Sequence, residues 1–369
     1  MSRSILFKML AVLAAMALVL GACDRGDDEG DGGGGNEAGQ GGGDLLSEIV
    51  DRGTLRCGVN ETVPGFGFAE AGEQPDGFDV DFCRAFAAAI VGDPEAIELT
   101  PIDADNRLIA LQNGDYDVLV RNTTHTTSRD GTEGLSFTHV NFYDGQAMMV
   151  RAESDFQSLE DMDGADVCVT TGTTTELNLA DRFAELGLEV NAVGAEDNTQ
   201  LQQAFIQDRC DGWTSDRSQL AGVRSAWPNR DGGPDALRIL DDVMSKEPLA
   251  PAVLDSEVEL YQVVNLVVHG LIFAEELGVT SNNVEQQAQS PDSADIANLL
   301  GVPVEEGAGE AINHGVGVEN DFMQGVLTAV GNYGEIFDRH LGTDTPLGLD
   351  RGINGLWTDG GIQYAIPFR

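Results

Sequence analysis

Apolar and polar residues along this chain fall into a repeating rhythm of short extended runs and amphipathic helices. Residues 55–59, Leu-Arg-Cys-Gly-Val, read as a strand, and Pro64-Gly65 breaks the extended path soon after. Beyond Gly77, Val80, Phe82, Cys83, Phe86, Ala87 and Ile90 recur at helical spacing. Asp79 and Asp81 fall in the first turn of that helix, where its dipole favours negative charge. A strand over 97–100, a short helix over 106–112 stopped by Asn113-Gly114, and a strand over 116–120 follow. Strand, helix, strand, helix, strand predicts an α/β lobe around a mainly parallel sheet.

The rhythm then restarts, with strands expected over 166–169, 188–190 and 210–214 and helices over 175–186 and 198–208. Two extended runs, 143–150 and 247–254, stand between the repeats and are placed to cross from one lobe to the other. A long amphipathic helix over 258–277 ends at Gly278. Residues 281–369 read as helices and Gly-rich turns without a new core, with helical segments over 323–332 and 334–340. The expected architecture is α/β and two-lobed. One lobe takes 45–145 with 250–369, the other 146–249, and two hinge strands join them.

The first residues carry a different pattern. Arg3 and Lys8 precede an apolar stretch over 10–20, and Leu20-Gly21-Ala22-Cys23 closes it. That stretch is shorter than the roughly 20 residues a bilayer span needs, so 1–23 reads as a cleaved export signal. Leu-Gly-Ala-Cys resembles the bacterial lipobox, which implies a lipid on Cys23 and an extracytoplasmic protein held at the cell membrane. Residues 24–44 are Gly, Asp, Glu and other polar residues, too poor in apolar surface to offset ordering entropy, and are expected to form a flexible tether.

Composition narrows the function. A net charge of −43 argues against nucleic-acid binding, which needs basic patches. The acidity fits a solvated surface in a salt-rich medium, where screening makes self-repulsion tolerable. Four cysteines, Cys57, Cys83, Cys168 and Cys210, follow the tether, and an even number in an exported chain suggests disulfides. Three pairings are open; closeness in sequence and a shared lobe favour Cys57–Cys83 with Cys168–Cys210. Five scattered histidines and no Cys/His spacing offer no metal site, and no cofactor is expected.

Candidate chemistry sits at the strand ends, where ligands bind in α/β lobes. The strand over 116–120 runs into Arg121-Asn122-Thr123-Thr124-His125-Thr126-Thr127-Ser128-Arg129, dense in hydroxyls and closing on a cation. The strand over 166–169 runs into Thr170-Thr171-Gly172-Thr173-Thr174-Thr175-Glu176. Thr173 and Glu176 there have capping-box spacing, which leaves N–H groups facing the strand end. A third strand ends in Thr214-Ser215-Asp216. Burying a zwitterion requires partners for both charges: an arginine fork suits a carboxylate, and a carboxylate suits an ammonium. Cation, anion and hydroxyls on two lobes compose a trap for a free amino acid.

Over about 55–253 the chain resembles the polar-amino-acid-binding proteins of ABC importers, in particular their general L-amino-acid-binding branch. The matching phrases are Arg56-Cys57-Gly58-Val59-Asn60, Gly77-Phe78-Asp79-Val80-Asp81-Phe82-Cys83 and Arg121-Asn122-Thr123-Thr124. They continue in Thr171-Gly172-Thr173-Thr174-Thr175-Glu176-Leu177-Asn178-Leu179, Arg209-Cys210-Asp211 and Ser245-Lys246-Glu247-Pro248-Leu249. The resemblance implies a type II periplasmic-binding-protein clamshell. It implies that Arg129 holds the ligand carboxylate with help from Asn122, Thr124 and Thr174, and that Asp216 takes the α-ammonium. Val63 and Phe66 would pack the ligand side chain. Relatives that take basic amino acids carry an acid where Asn60 stands, so Asn60 favours broad or neutral specificity. The implied partners are a free amino acid, an ABC permease and its ATPase, with the binding protein itself a monomer. Two other functions use the same fold: a ligand sensor for a separate receptor, and a dehydratase of cyclic acids.

Overall fold

The computed structural model describes residues 45–304 and 311–369. The expected signal segment, the lipidated Cys23 and the tether lie outside them. Two five-stranded sheets organise the chain. Across the first, the order is Ile97–Pro101, Leu55–Val59, Val118–Leu119, Ala252–Leu254 and Leu135–Phe137. Across the second it is Val190–Ala195, Ala165–Thr170, Gly212–Asp216, Gln146–Arg151 and Leu237–Ile239. In each, the first three strands are parallel and the fourth runs antiparallel to both its neighbours. Those fourth strands carry the chain between the sheets: Gln146–Arg151 enters the second, and Ala252–Leu254 returns to the first. Just before each, Phe142–Asp144 and Glu247–Leu249 pair antiparallel and form the hinge. The fold is a bilobal clamshell.

Side-chain alternation explains the second sheet. Along Gln146–Arg151, Ala147 and Met149 face one apolar cluster with Phe205 and Trp213, while Met148 and Val150 face another with Val167 and Phe183. Both faces are therefore dry, as a helix-covered sheet requires. In the first lobe, helices Phe78–Val91 and Val258–Glu276 cover one face. Val258–Glu276 has the length and apolarity of a membrane span, yet Val263, Val264, Val267 and Val268 lie fully buried in the core. The C-terminal helices Val284–Gln289, Ala294–Leu299, Phe322–Val330 and Tyr333–His340 add Val284, Leu299, Met323, Tyr333 and Phe337 to that same core. The tail also touches the hinge: Tyr143 N donates to Asn354 Oδ1 at 2.7 Å, and Asn354 Nδ2 donates to Tyr143 O at 2.9 Å.

Two expectations are corrected. The strand expected over 188–190 is Val190–Ala195. Gly187 takes a left-handed φ of 74° and Leu188 N still bonds back to Phe183 O at 2.9 Å, so residue 188 belongs to the helix exit. Parallel register with Ala165–Thr170 recruits Asn191 to Ala195, where only Val193 and Ala195 alternate onto an apolar cluster, a weak pattern in the sequence. The expected Cys57–Cys83 bridge is absent: both are free, fully buried thiols in the apolar core. Burial, together with the neighbouring Cys57, pushes the Cys83 thiol well above its ordinary range, and the pair packs as small hydrophobes. Cys168–Cys210 is bonded, tying strand Ala165–Thr170 to the segment that leads into strand Gly212–Asp216 across a separation of 42 residues. A loop of that length corresponds to about 4 kcal/mol of stabilisation in the chain-entropy description.

Candidate ligand site in the interlobe cleft

Three strand ends meet where the lobes close. After Val118–Leu119 the chain turns through Asn122, whose φ is 32° and whose N–H donates to Asp79 Oδ2 at 2.7 Å. Thr126 then caps the one-turn helix Thr127–Gly131, accepting from Arg129 N at 3.3 Å, and buries Arg129. In the second lobe Thr173 caps helix Thr174–Leu186, accepting from Glu176 N at 3.1 Å. The expected capping box is only half formed, because the Glu176 carboxylate accepts from Gly172 N at 3.0 Å instead. Strand Gly212–Asp216 ends at Asp216, which occupies the cap position of helix Arg217–Ser225 without bonding its N–H groups.

The lobes are closed on each other. Thr171 Oγ1 donates to Asp105 Oδ2 at 2.7 Å, Asn122 Nδ2 to Gln219 Oε1 at 3.1 Å, and Asn198 Nδ2 to the Thr62 carbonyl at 3.0 Å. Gly172 makes the approach possible. Its φ is 68°, and a Cβ there would run into Asp105, with that residue's Cα only 2.9 Å away.

Between the closed lobes lies a small, mostly polar cavity. Of the expected residues, Asn60, Val63, Asn122, Thr124, Thr174 and Asp216 line it. Arg129 sits behind the wall, its guanidinium donating to the Thr124 carbonyl, within electrostatic reach of Glu247 and Asp216. Phe66 is corrected. It is buried against Phe78 and Phe142, with ring centroids 5.7 and 5.1 Å away, and braces the loop instead of lining the cavity.

Sequence reasoning missed four charged groups. Arg107 and Arg121 line the cavity and are 3% and 8% exposed. Arg121 carried a signal, since it stands two residues past a strand end; Arg107 begins helix Arg107–Gln112 and reaches the cleft only through the fold. Among the described residues, Arg107, Arg121 and Arg129 make no ion pair, whereas Arg56, for instance, pairs with Asp117 at 2.7 Å. Burial lowers the pKa of all three, that of Arg121 to about 10. Unpaired buried cations are costly and favour an anionic occupant.

The third missed residue is Glu247, on the hinge and almost wholly buried. Its Oε2 accepts from Thr124 Oγ1 at 2.6 Å and from Thr174 Oγ1 at 2.7 Å, one from each lobe. Its Oε1 accepts from Asn178 Nδ2 at 2.9 Å and from the Ser245 hydroxyl. The fourth is Asp144, whose carboxylate takes the Ser218 hydroxyl and the Gly145 N–H, and which burial raises to about 6. Burial, with Asp144 and Glu247 nearby, holds Asp216 well above the usual carboxylate range, and its Oδ1 is buried without a partner. A buried acceptor with no donor, within electrostatic reach of Arg129 and Arg107, which make no ion pair among the described residues, suits a ligand that carries both an ammonium and a carboxylate.

Fold and cleft together define a two-lobed solute-binding protein. Residues 55–289 match the family model for bacterial extracellular solute-binding proteins, family 3, and the chain belongs to that family. It is 43% identical to the general L-amino acid-binding periplasmic protein AapJ of Rhizobium johnstonii, over 88% of this chain and 92% of that one. It is 41% identical to the glutamate/glutamine/aspartate/asparagine-binding protein BztA of Rhodobacter capsulatus, over 88% and 93%. A periplasmic binding protein of an ABC transporter from Brucella ovis, solved with glutathione bound, superposes with a TM-score of 0.82 at 42% identity, covering 88% of this chain and 99% of that one.

Proposed function

We propose that the chain captures free L-amino acids between its lobes and hands them to a membrane permease driven by an ABC ATPase. Arg129 takes the α-carboxylate with the loop residues Asn122, Thr124 and Thr174, while Asp216 takes the α-ammonium. Asn60 and Val63 bound the side chain in a cavity that admits several kinds. One observation carries the reading: the Asp216 carboxylate oxygen at the interlobe cavity is buried without a partner, within electrostatic reach of Arg129 and Arg107, which make no ion pair among the described residues. Both lobes contribute groups, so ligand and closure favour each other. The relatives are binding proteins, and the reading here is binding without turnover. His125, the histidine nearest the cleft loop in sequence, is engaged by Asp130 at 2.6 Å and stacks on Phe137.

Arg129→Ala tests the assignment. It should abolish amino-acid binding in calorimetry and leave the apoprotein's thermal transition in place or slightly higher, since an unpaired buried charge is removed. Unchanged affinity would take Arg129 out of the site. The lobes are assigned as 45–145 with 250–369 and 146–249, and the protein acts as a monomer tethered through a lipid on Cys23. Intact-mass analysis of membrane-extracted protein checks the anchor; a mature chain that lacks a diacylglycerol adduct on Cys23 would exclude it.

A further inference from the structure

Side-chain amides and the Thr62 backbone close a ring of hydrogen bonds across the cleft. Thr62 N and Oγ1 donate to Asn60 Oδ1 at 3.0 and 3.2 Å, and Asn60 Nδ2 donates to Asn122 Oδ1 at 3.2 Å. Asn122 Nδ2 donates to Gln219 Oε1 at 3.1 Å, and Gln219 Nε2 to Asn198 Oδ1 at 2.9 Å. Asn198 Nδ2 completes the circuit by donating to the Thr62 carbonyl at 3.0 Å. Every link runs in the same sense. Asn60, Asn122, Asn198 and Gln219 all line the interlobe cavity.

That sense is set by the backbone. An amide exchanges its oxygen and nitrogen by a half turn, whereas a backbone N–H only donates and a backbone C=O only accepts. The Thr62 N–H claims Asn60 Oδ1, which leaves Asn60 Nδ2 for Asn122 Oδ1. The first lobe therefore presents one donor, Asn122 Nδ2, and one acceptor, the Thr62 carbonyl. In the second lobe Asn198 opens helix Asn198–Ile206, and Gln219 lies in the first turn of helix Arg217–Ser225. The bond between those two amides could run either way. Only one direction offers Gln219 Oε1 and Asn198 Nδ2 to the first lobe. The bonds from Asn122 to Gln219 and from Asn198 to Thr62 cross the cleft, so the ring exists only when the lobes are shut.

We propose that Gln219 and Asn198 are positioning residues that orient the Asn122 amide as the lobes close. This rests on the amino-acid reading above, in which Asn122 helps to hold the ligand carboxylate, and adds the second-lobe groups that set its side chain. Opening removes the Gln219 bond and leaves the Asn122 amide with Asn60 alone. Closure restores it, and links in a ring strengthen one another. All the links are uncharged, so the device adds no charge to a cavity already lined by Arg107, Arg121 and Asp216.

Gln219→Glu in the full chain tests this at nearly constant shape. An ionised carboxylate only accepts, so it faces Asn198 Oδ1 without a proton; Asn198 cannot turn, because the Thr62 carbonyl needs its Nδ2. The protonated acid donates through its hydroxyl and accepts through its carbonyl, which restores the ring. Calorimetry with L-glutamine and L-leucine at about pH 5 and about pH 8 reads affinity, each value taken against the unaltered protein at the same pH. That reference carries the common effect of Asp79, Asp144, Asp197 and Asp216 and of Arg107 and Arg121, which stand around the ring. The Glu variant should bind about 10- to 100-fold more weakly at the higher pH and within about threefold at the lower. Gln219→Met fills the space without hydrogen bonds and should lose affinity equally at both. Equal losses for the Glu variant at the two pH values would overturn the proposal while the amino-acid reading survived. So would a Met variant with unaltered affinity. An unaltered protein that binds neither amino acid would overturn both.

Discussion

Glu247→Ala removes a hinge carboxylate that accepts hydrogen bonds from both lobes. Thr124 Oγ1 reaches it from the first lobe at 2.6 Å, and Thr174 Oγ1 and Asn178 Nδ2 reach it from the second at 2.7 and 2.9 Å. Opening the cleft must break either the Thr124 bond or the Thr174 and Asn178 bonds, whichever lobe the hinge strand follows. A hydrogen bond to a charged acceptor contributes about 1.5–3 kcal/mol, so the closed form loses at least that much relative to the open one. Ligand held by both lobes binds the closed form, and its apparent affinity falls with the closed fraction. The expected loss is therefore about 10- to 150-fold in amino-acid affinity. Glu247→Gln keeps the shape and should lose less. Calorimetry reads the affinity, and small-angle scattering of the apoprotein reads closure through the radius of gyration. An Ala variant with unaltered affinity and an unaltered scattering profile would refute the latch.

Two further predictions concern the buried acids. Asp216→Asn should weaken amino acids more than the matching desamino acids, because only the former present an ammonium; equal losses measured by competition calorimetry would remove that role. Asp79 is raised to about 7 by burial, against the Asn122 N–H bond and Arg121, which both lower it. It is thus neutral in the folded chain below pH 7 but ionised above about pH 4 when unfolded. Its contribution is full below pH 4 and disappears as pH rises to 7, by about 4 kcal/mol. Urea unfolding of Asp79→Asn across pH 4–8 should show a flatter profile than the unaltered protein, and a profile of identical slope would contradict the assignment.

The chain alone determined the two α/β lobes, since strand–helix alternation and the apolar face of Phe78–Val91 are local properties that survive in any window of a dozen residues. It also marked the polar strand ends, where Asn122, Thr124, Thr174 and Asp216 line the cavity. What it did not reveal depends on closure. Arg107 meets Gly172, and Thr124, Thr174 and Glu247 converge, only because two sheets fold onto one hinge, and no spacing along the chain encodes that meeting. The cysteines divide the same way. Cys168 sits in one strand and Cys210 just ahead of its neighbour, and they are bonded, whereas Cys57 and Cys83 lie between sheet and helix in an apolar core that needs no bridge. Local pattern sets the elements; burial across the cleft sets which charges stand unpaired, and those define what the protein can hold.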